Sequence, residues 1–139
     1  MSAREGLGDL FNLATSTTTG KTRANLRNAT GVTIVLIGAT SGAATINECN
    51  AASGGTEQTL PLITKYYTQN NGVWTKVTQA AGATVTAATG GLLAVYIPAV
   101  ALSDGFSYID ASHASGSFVY ILHGLRVKRD PANLVDVRA

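Results

Sequence analysis

Cys49, His113 and His123 are the side chains of this sequence best suited to hold a metal or carry a nucleophilic step. A tetrahedral zinc site built from them needs a fourth ligand, such as Asp110. The separations, 64 residues from Cys49 to His113 and 10 from His113 to His123, match no zinc-ligand spacing. His123 alternates with Ile121 on an apolar run and reads as a β-sheet histidine with a polar partner. A Ser-His-Asp triad can be assembled on paper from any serine-rich chain, but no Gly-x-Ser-x-Gly elbow is present. Asp104 and Asp110 could pair as acid and base, yet Asp104 lies in Ser103-Asp104-Gly105, where a short carboxylate serves a turn. Gly20-Lys21-Thr22 ends like a phosphate-binding loop. Thr15 stands where that motif needs its first glycine, and no strand precedes it. The expectation is a protein that is not an enzyme and holds no metal or cofactor.

The elements that would position these residues are strands. Val32-Thr-Ile-Val-Leu-Ile37 is apolar and β-branched between Gly31 and Gly38. Thr45 to Cys49 alternates, and Leu60 to Thr68 carries the paired Tyr66 and Tyr67. Asn71-Gly72 stands before Val73 to Thr78, where Val73, Thr75 and Val77 alternate with Trp74 and Lys76. Asn-Gly between two such runs predicts a hairpin, because a type I′ turn needs positive φ at both central residues. Further strands are expected at Thr84–Ala87, Leu92–Ile97, Phe106–Asp110, Phe118–His123 and Leu125–Lys128. Short strands at this regular spacing, with no long helix between them, predict an all-β antiparallel sandwich of jelly-roll, immunoglobulin-like or barrel type. Val32, Ile34, Leu36, Val95, Ile97, Ile109, Val119 and Ile121 are its expected core.

Alanine, threonine and glycine dominate the composition, and only 13% of residues are charged against roughly 25% in a typical globular chain. A surface so poor in charge tends to associate, so much of it is expected to be covered by partners. The net charge of +2 is unevenly spread. Arg4, Lys21, Arg23 and Arg27 make the first 28 residues basic, and Arg126, Lys128, Arg129 and Arg138 do the same for the last 14. No run of five like charges marks a nucleic-acid tail, so contact with acidic protein surface is the better reading. The single cysteine and the absence of a signal-peptide layout predict synthesis in a reducing cytoplasm. The longest apolar run, Val32 to Ile37, is far short of the ~20 residues that cross a bilayer. Three regions follow: an N-terminal arm at 1–29, a β-sandwich at 30–130 and a C-terminal tail at 131–139. The arm has a small apolar anchor, Leu10 and Phe11, before a Thr-rich stretch. The tail begins where Pro131 ends the last strand, with Leu134 still to place. Both ends are expected to lie outside the sandwich and to be removable without loss of the fold.

Ala44-Thr-Ile-Asn-Glu-Cys-Asn-Ala-Ala-Ser-Gly-Gly-Thr56 precedes Tyr66-Tyr67 and then Val73-Trp-Thr-Lys-Val-Thr-Gln79. Leu102-Ser-Asp-Gly-Phe-Ser-Tyr-Ile109 and Leu125-Arg-Val-Lys-Arg-Asp-Pro-Ala-Asn-Leu134 follow. That order resembles the capsid cement, or decoration, proteins of tailed bacteriophages over about residues 30–135. The resemblance implies a jelly-roll sandwich with no catalysis. It implies a place on the outside of the shell against the major capsid protein, as a homo-oligomer, a dimer at local two-folds. No nucleic acid or membrane is implied as partner, and localisation would be the virion. The candidates for shell contact are Leu10, Phe11, Arg23, Arg27, Arg126, Lys128, Arg129 and Leu134, with the apolar ones contributing more than any one charge. The rival reading is a receptor- or carbohydrate-binding sandwich of a phage tail or fibre, or a tail or head-completion protein.

Overall fold

The computed structural model describes residues 10–17, 22–87 and 89–139. Eleven strands run in chain order: β1 (Asn12–Thr17), β2 (Ala24–Asn25), β3 (Gly31–Ile37), β4 (Gly42–Cys49), β5 (Glu57–Thr59), β6 (Ile63–Asn70), β7 (Val73–Gly82), β8 (Thr84–Ala87), β9 (Leu92–Pro98), β10 (Tyr108–Ser112) and β11 (Ser117–His123). Among the described residues, helix is limited to two 3-10 turns, Ala99–Ala101 and Pro131–Asn133, so no described helix could cross a membrane. All strand pairs are antiparallel. One sheet has six strands in the order β1-β11-β3-β9-β6-β7. The other runs β2-β10-β4-β5, with β8 sharing the β4 edge beside β5. The two sheets enclose one apolar core, the sandwich that the strand spacing predicts.

The Asn-Gly hairpin forms as expected. Asn70 pairs with Val73, and Asn71 (φ 51) and Gly72 (φ 77) both take the left-handed conformation of a type I′ turn. In β3 the side chains of Val32, Ile34 and Leu36 point inward, and β9 answers with Leu93, Val95 and Ile97. The second sheet contributes Ala24, Ala44, Ile46, Ile109 and Ala111. Two core tyrosines tie the sheets together through their hydroxyls. Tyr120 on β11 accepts from the Ala111 N–H of β10 at 3.0 Å, and Tyr66 on β6 accepts from the Thr86 N–H of β8 at 3.2 Å. Each lets a large side chain fill the core without stranding a polar atom. Burial pushes the Tyr120 phenol far up, so it stays a neutral link.

Four expectations need correction. In β11 the inward residues are Phe118, Tyr120 and Leu122, while Val119 and Ile121 face outward and are half-buried. Residues 125–128 form no strand; Arg126 and Val127 lie in a bend. The first 29 residues are not an arm throughout. β1 is an edge strand along all of β11, β2 pairs with β10, and Leu10 packs against the core. Residues 1–9 and 18–21 of that expected arm lie outside the described residues. Nor is 131–139 a free tail. Val137 is buried in the core, and its carbonyl accepts from the Asn25 N–H at 2.8 Å. Leu134 packs beside it. The tail has a home because β2 is short and its free edge needs a backbone partner.

Candidate functional site

Directly paired residues share a face, so the registers assign the outer side of the six-stranded sheet. One row runs Leu13, Ile121, Thr33, Tyr96. The next runs Thr15, Val119, Val35, Ala94, Tyr67, Lys76. The third runs Thr17, Ser117, Ile37, Leu92, Gln69, Trp74. These rows hold Lys76 at the β7 edge, and Lys65, two residues before Tyr67 on β6, is a second exposed charge on the same face beside Tyr96. Tyr96 and Trp74 are each about half exposed, at 52% and 51%, and Leu13, Ile37 and Tyr67 are exposed beside them. Tyr96 lies across β3 where Gly31 leaves room; a side chain at position 31 would collide with its ring. Its other side meets the tilted His123 ring at 6.1 Å between centroids. A largely apolar exposed face of this kind is a mark of a contact surface.

The second sheet carries a buried polar cluster on its outer side. β4 lies between β10 and β5, which places Asn47 opposite Asp110 and Cys49 opposite Glu57. Arg23, just before β2, reaches over them. Its guanidinium lies 3.6 Å from the Asp110 carboxylate and 3.3 Å from that of Glu57. It also donates to the Ala51 carbonyl at 2.8 Å and the Gly54 carbonyl at 2.7 Å, closing the 50–56 loop over the cluster. Asp110 has no exposed surface; it accepts from Asn47 Nδ2 at 3.1 Å and from the Cys49 thiol at 3.6 Å. Arg23 is therefore not available to a shell protein, contrary to the sequence expectation. Its charge is used inside its own fold.

Cys49, Glu57 and Asp110 place potential ligand atoms within 4.8 Å of one another. The arrangement unites Cys49 with Asp110 as a zinc reading would, but neither histidine joins them and the arginine occupies the charge-compensating position. A dication would have to displace it. Burial first, and the neighbouring Asp110 charge next, push the Cys49 thiol up to about 12, so it is protonated and a poor nucleophile at neutral pH. His113 Nδ1 sits 3.0 Å from both the N–H and the carbonyl of Ser115. His123 Nε2 lies 2.7 Å from Thr33 Oγ1. Each serves a local turn or strand contact.

Glu48 is a second buried carboxylate, and no motif or spacing around it singles it out. It receives the Ser103 N–H at 2.7 Å, the Ser103 hydroxyl at 2.6 Å and the Gln58 amide at 2.7 Å, fastening the 103–106 turn to β4. Burial pushes the carboxyl up, but these bonds outweigh it together, and it titrates below its ordinary 4.5. A carboxyl lowered in the folded state adds stability above its unfolded pKa and loses it as pH falls through the folded one. Thermal melting should therefore show the midpoint falling as the pH drops below the ordinary carboxyl value of 4.5. Glu48→Gln should start lower at neutral pH and fall less steeply. Parallel slopes for the two proteins would remove Glu48 from the account.

Of the remaining shell-contact candidates, Arg27, Arg126, Arg129 and Leu134 come together around one cleft of about 340 Å³. Lys128 is exposed and Phe11 half-buried, neither lining it. No family model matches this chain, and no curated protein matches it.

Proposed function

We propose that the chain is a non-enzymatic structural protein of a phage virion. In this reading it binds the outer surface of the capsid and holds neighbouring major capsid protein subunits together. The jelly-roll relationship, the dimer at local two-folds and the virion location belong to the same proposal. The observation that carries it is the outer face of the six-stranded sheet, largely apolar, with its two charges, Lys65 and Lys76, at the β6–β7 side. Such a face left bare invites association, and a role in which it is permanently covered suits it. Repetition over many identical sites on a shell would offset a modest affinity at each.

The test is co-sedimentation of the purified protein with stripped capsids. Many copies per particle support the shell; a few per particle point to a tail or vertex. Val35 is half-buried at the centre of the face, so Val35→Glu puts a charge there without entering the core. The variant should fold and bind shells roughly tenfold more weakly or worse. Wild-type binding by a folded variant would take the contact away from this face. A second reading, a carbohydrate-binding module of a tail or fibre, draws on Tyr67, Trp74 and Tyr96, whose exposed rings could stack on sugars. Quenching of Trp74 fluorescence by oligosaccharides, with no shell binding, would favour it.

A further inference from the structure

The cleft at the end of the sandwich joins residues far apart in sequence. Asn28 makes the joint. Its carbonyl accepts from the Arg126 N–H at 3.0 Å, and its Oδ1 accepts from the Val127 N–H at 2.8 Å. Its Nδ2 donates back to the Val127 carbonyl at 3.4 Å. These bonds hold the 126–127 bend against the 27–28 turn. The chain then passes through the Pro131–Asn133 turn and returns as Leu134 and Val135. The result is three arginines, Arg27, Arg126 and Arg129, around an aliphatic wall of Val127, Leu134 and Val135.

Charge is what sets this cleft apart. Among the described residues, no carboxylate lines it and none of its arginines forms an ion pair. Arg138 nearby is different, since it is taken up by Asp136 at 2.7 Å. Arg23 likewise has its acids. Three unpaired guanidinium groups on a chain of net charge +2 form a site for anions. A guanidinium meets a carboxylate through a planar two-point fork, which gives direction as well as attraction. The non-basic wall selects among anions. Single-stranded nucleic acid is bound on aromatic stacking platforms, and among the described residues no aromatic side chain lines this cleft. Branched aliphatic side chains fit another aliphatic side chain.

We propose that this cleft binds a short, extended acidic segment of a partner protein. Its carboxylates meet Arg27, Arg126 and Arg129, and one aliphatic side chain between them rests on Val127, Leu134 and Val135. The proposal rests on the shell-binding reading for the source of the segment, not for its chemistry. The hydrogen bonds around Asn28 fix the backbone that carries Arg27 and Arg126 before binding, which lowers the ordering cost.

The probe is a labelled peptide, acetyl-Asp-Glu-Leu-Asp-Glu-amide, followed by fluorescence anisotropy. It should bind the wild-type protein, and the triple variant R27Q/R126Q/R129Q should weaken it roughly tenfold or more. The triple variant should melt close to wild type, because these arginines are exposed. Replacing the peptide leucine by serine should weaken binding several-fold. K65Q/K76Q, at the β6–β7 side, should change nothing. Absence of binding, unchanged binding by the triple variant, or equal binding of an oligothymidylate of the same charge would each overturn the proposal. Shell co-sedimentation separates the two readings. Protein that binds shells but not peptide refutes the cleft alone; protein that binds peptide but not shells refutes the shell alone.

Discussion

Arg23→Ala should lower the thermal midpoint by roughly 10 °C or more. The substitution removes a guanidinium that pairs with Asp110, which is fully buried, and with Glu57. Breaking a buried ion pair from one side leaves an uncompensated charge and costs about 3–5 kcal/mol. In a domain of this size each kcal/mol is worth about 2–4 °C. The Ala51 and Gly54 carbonyls also lose their donor, so the 50–56 loop should open. Arg23→Lys keeps the charge but cannot reach two carboxylates and two carbonyls with a single ammonium, and should fall in between. The double variant R23A/D110N should regain part of the loss, since it removes the buried charge and keeps an oxygen for Asn47 Nδ2. Melting curves of the three variants decide this. A midpoint for Arg23→Ala within a degree or two of wild type would mean that the cluster does not hold the fold.

Deleting residues 132–139 should destabilise the sandwich itself, not merely weaken a contact with a neighbour. The deletion exposes the core at the position of Val137, and burying one such side chain is worth about 1.5–3 kcal/mol. It also strips the Asn25 N–H of its Val137 acceptor, and a buried donor left alone costs about 1–3 kcal/mol. Asn25 Nδ2 loses the Ala139 oxygen at 2.7 Å, and Asn12 Nδ2 loses the Val135 carbonyl at 2.9 Å. Against a total stability of about 5–15 kcal/mol, the truncated protein should melt well below the full chain. Val137→Ser isolates the packing part and should account for about half of the loss. Identical melting of the truncated and full-length proteins would restore the view of a detached tail. Deleting residues 1–25 should be worse still, because it takes away β1, the whole of β2 and Arg23 together.

Period-two alternation and turn chemistry are local, and they are where the sequence was sufficient. The Asn71-Gly72 turn, the inward Val32, Ile34 and Leu36, and the lack of any long helix could all be read from a few adjacent residues. Alternation carries no information where every position is apolar. Phe118-Val119-Tyr120-Ile121-Leu122 could face either way, and only packing against β3 and the hydroxyl bond from Tyr120 to Ala111 choose the inward set. That same ambiguity is why the apolar outer face could not be foreseen: a strand buried on one side and covered on the other reads like one wholly inside. Charge in the sequence says how many arginines there are, not what they meet. Arg23 and Arg27 are four residues apart, yet β10 brings Asp110 to the first, and the Asn28 joint brings Arg126 to the second. The tail is the same case, since nothing near Val137 in the chain announces that Asn25 lacks a partner. Strand identity is fixed by neighbours in sequence; the facing of an all-apolar strand and the partner of a charge are fixed by neighbours in space.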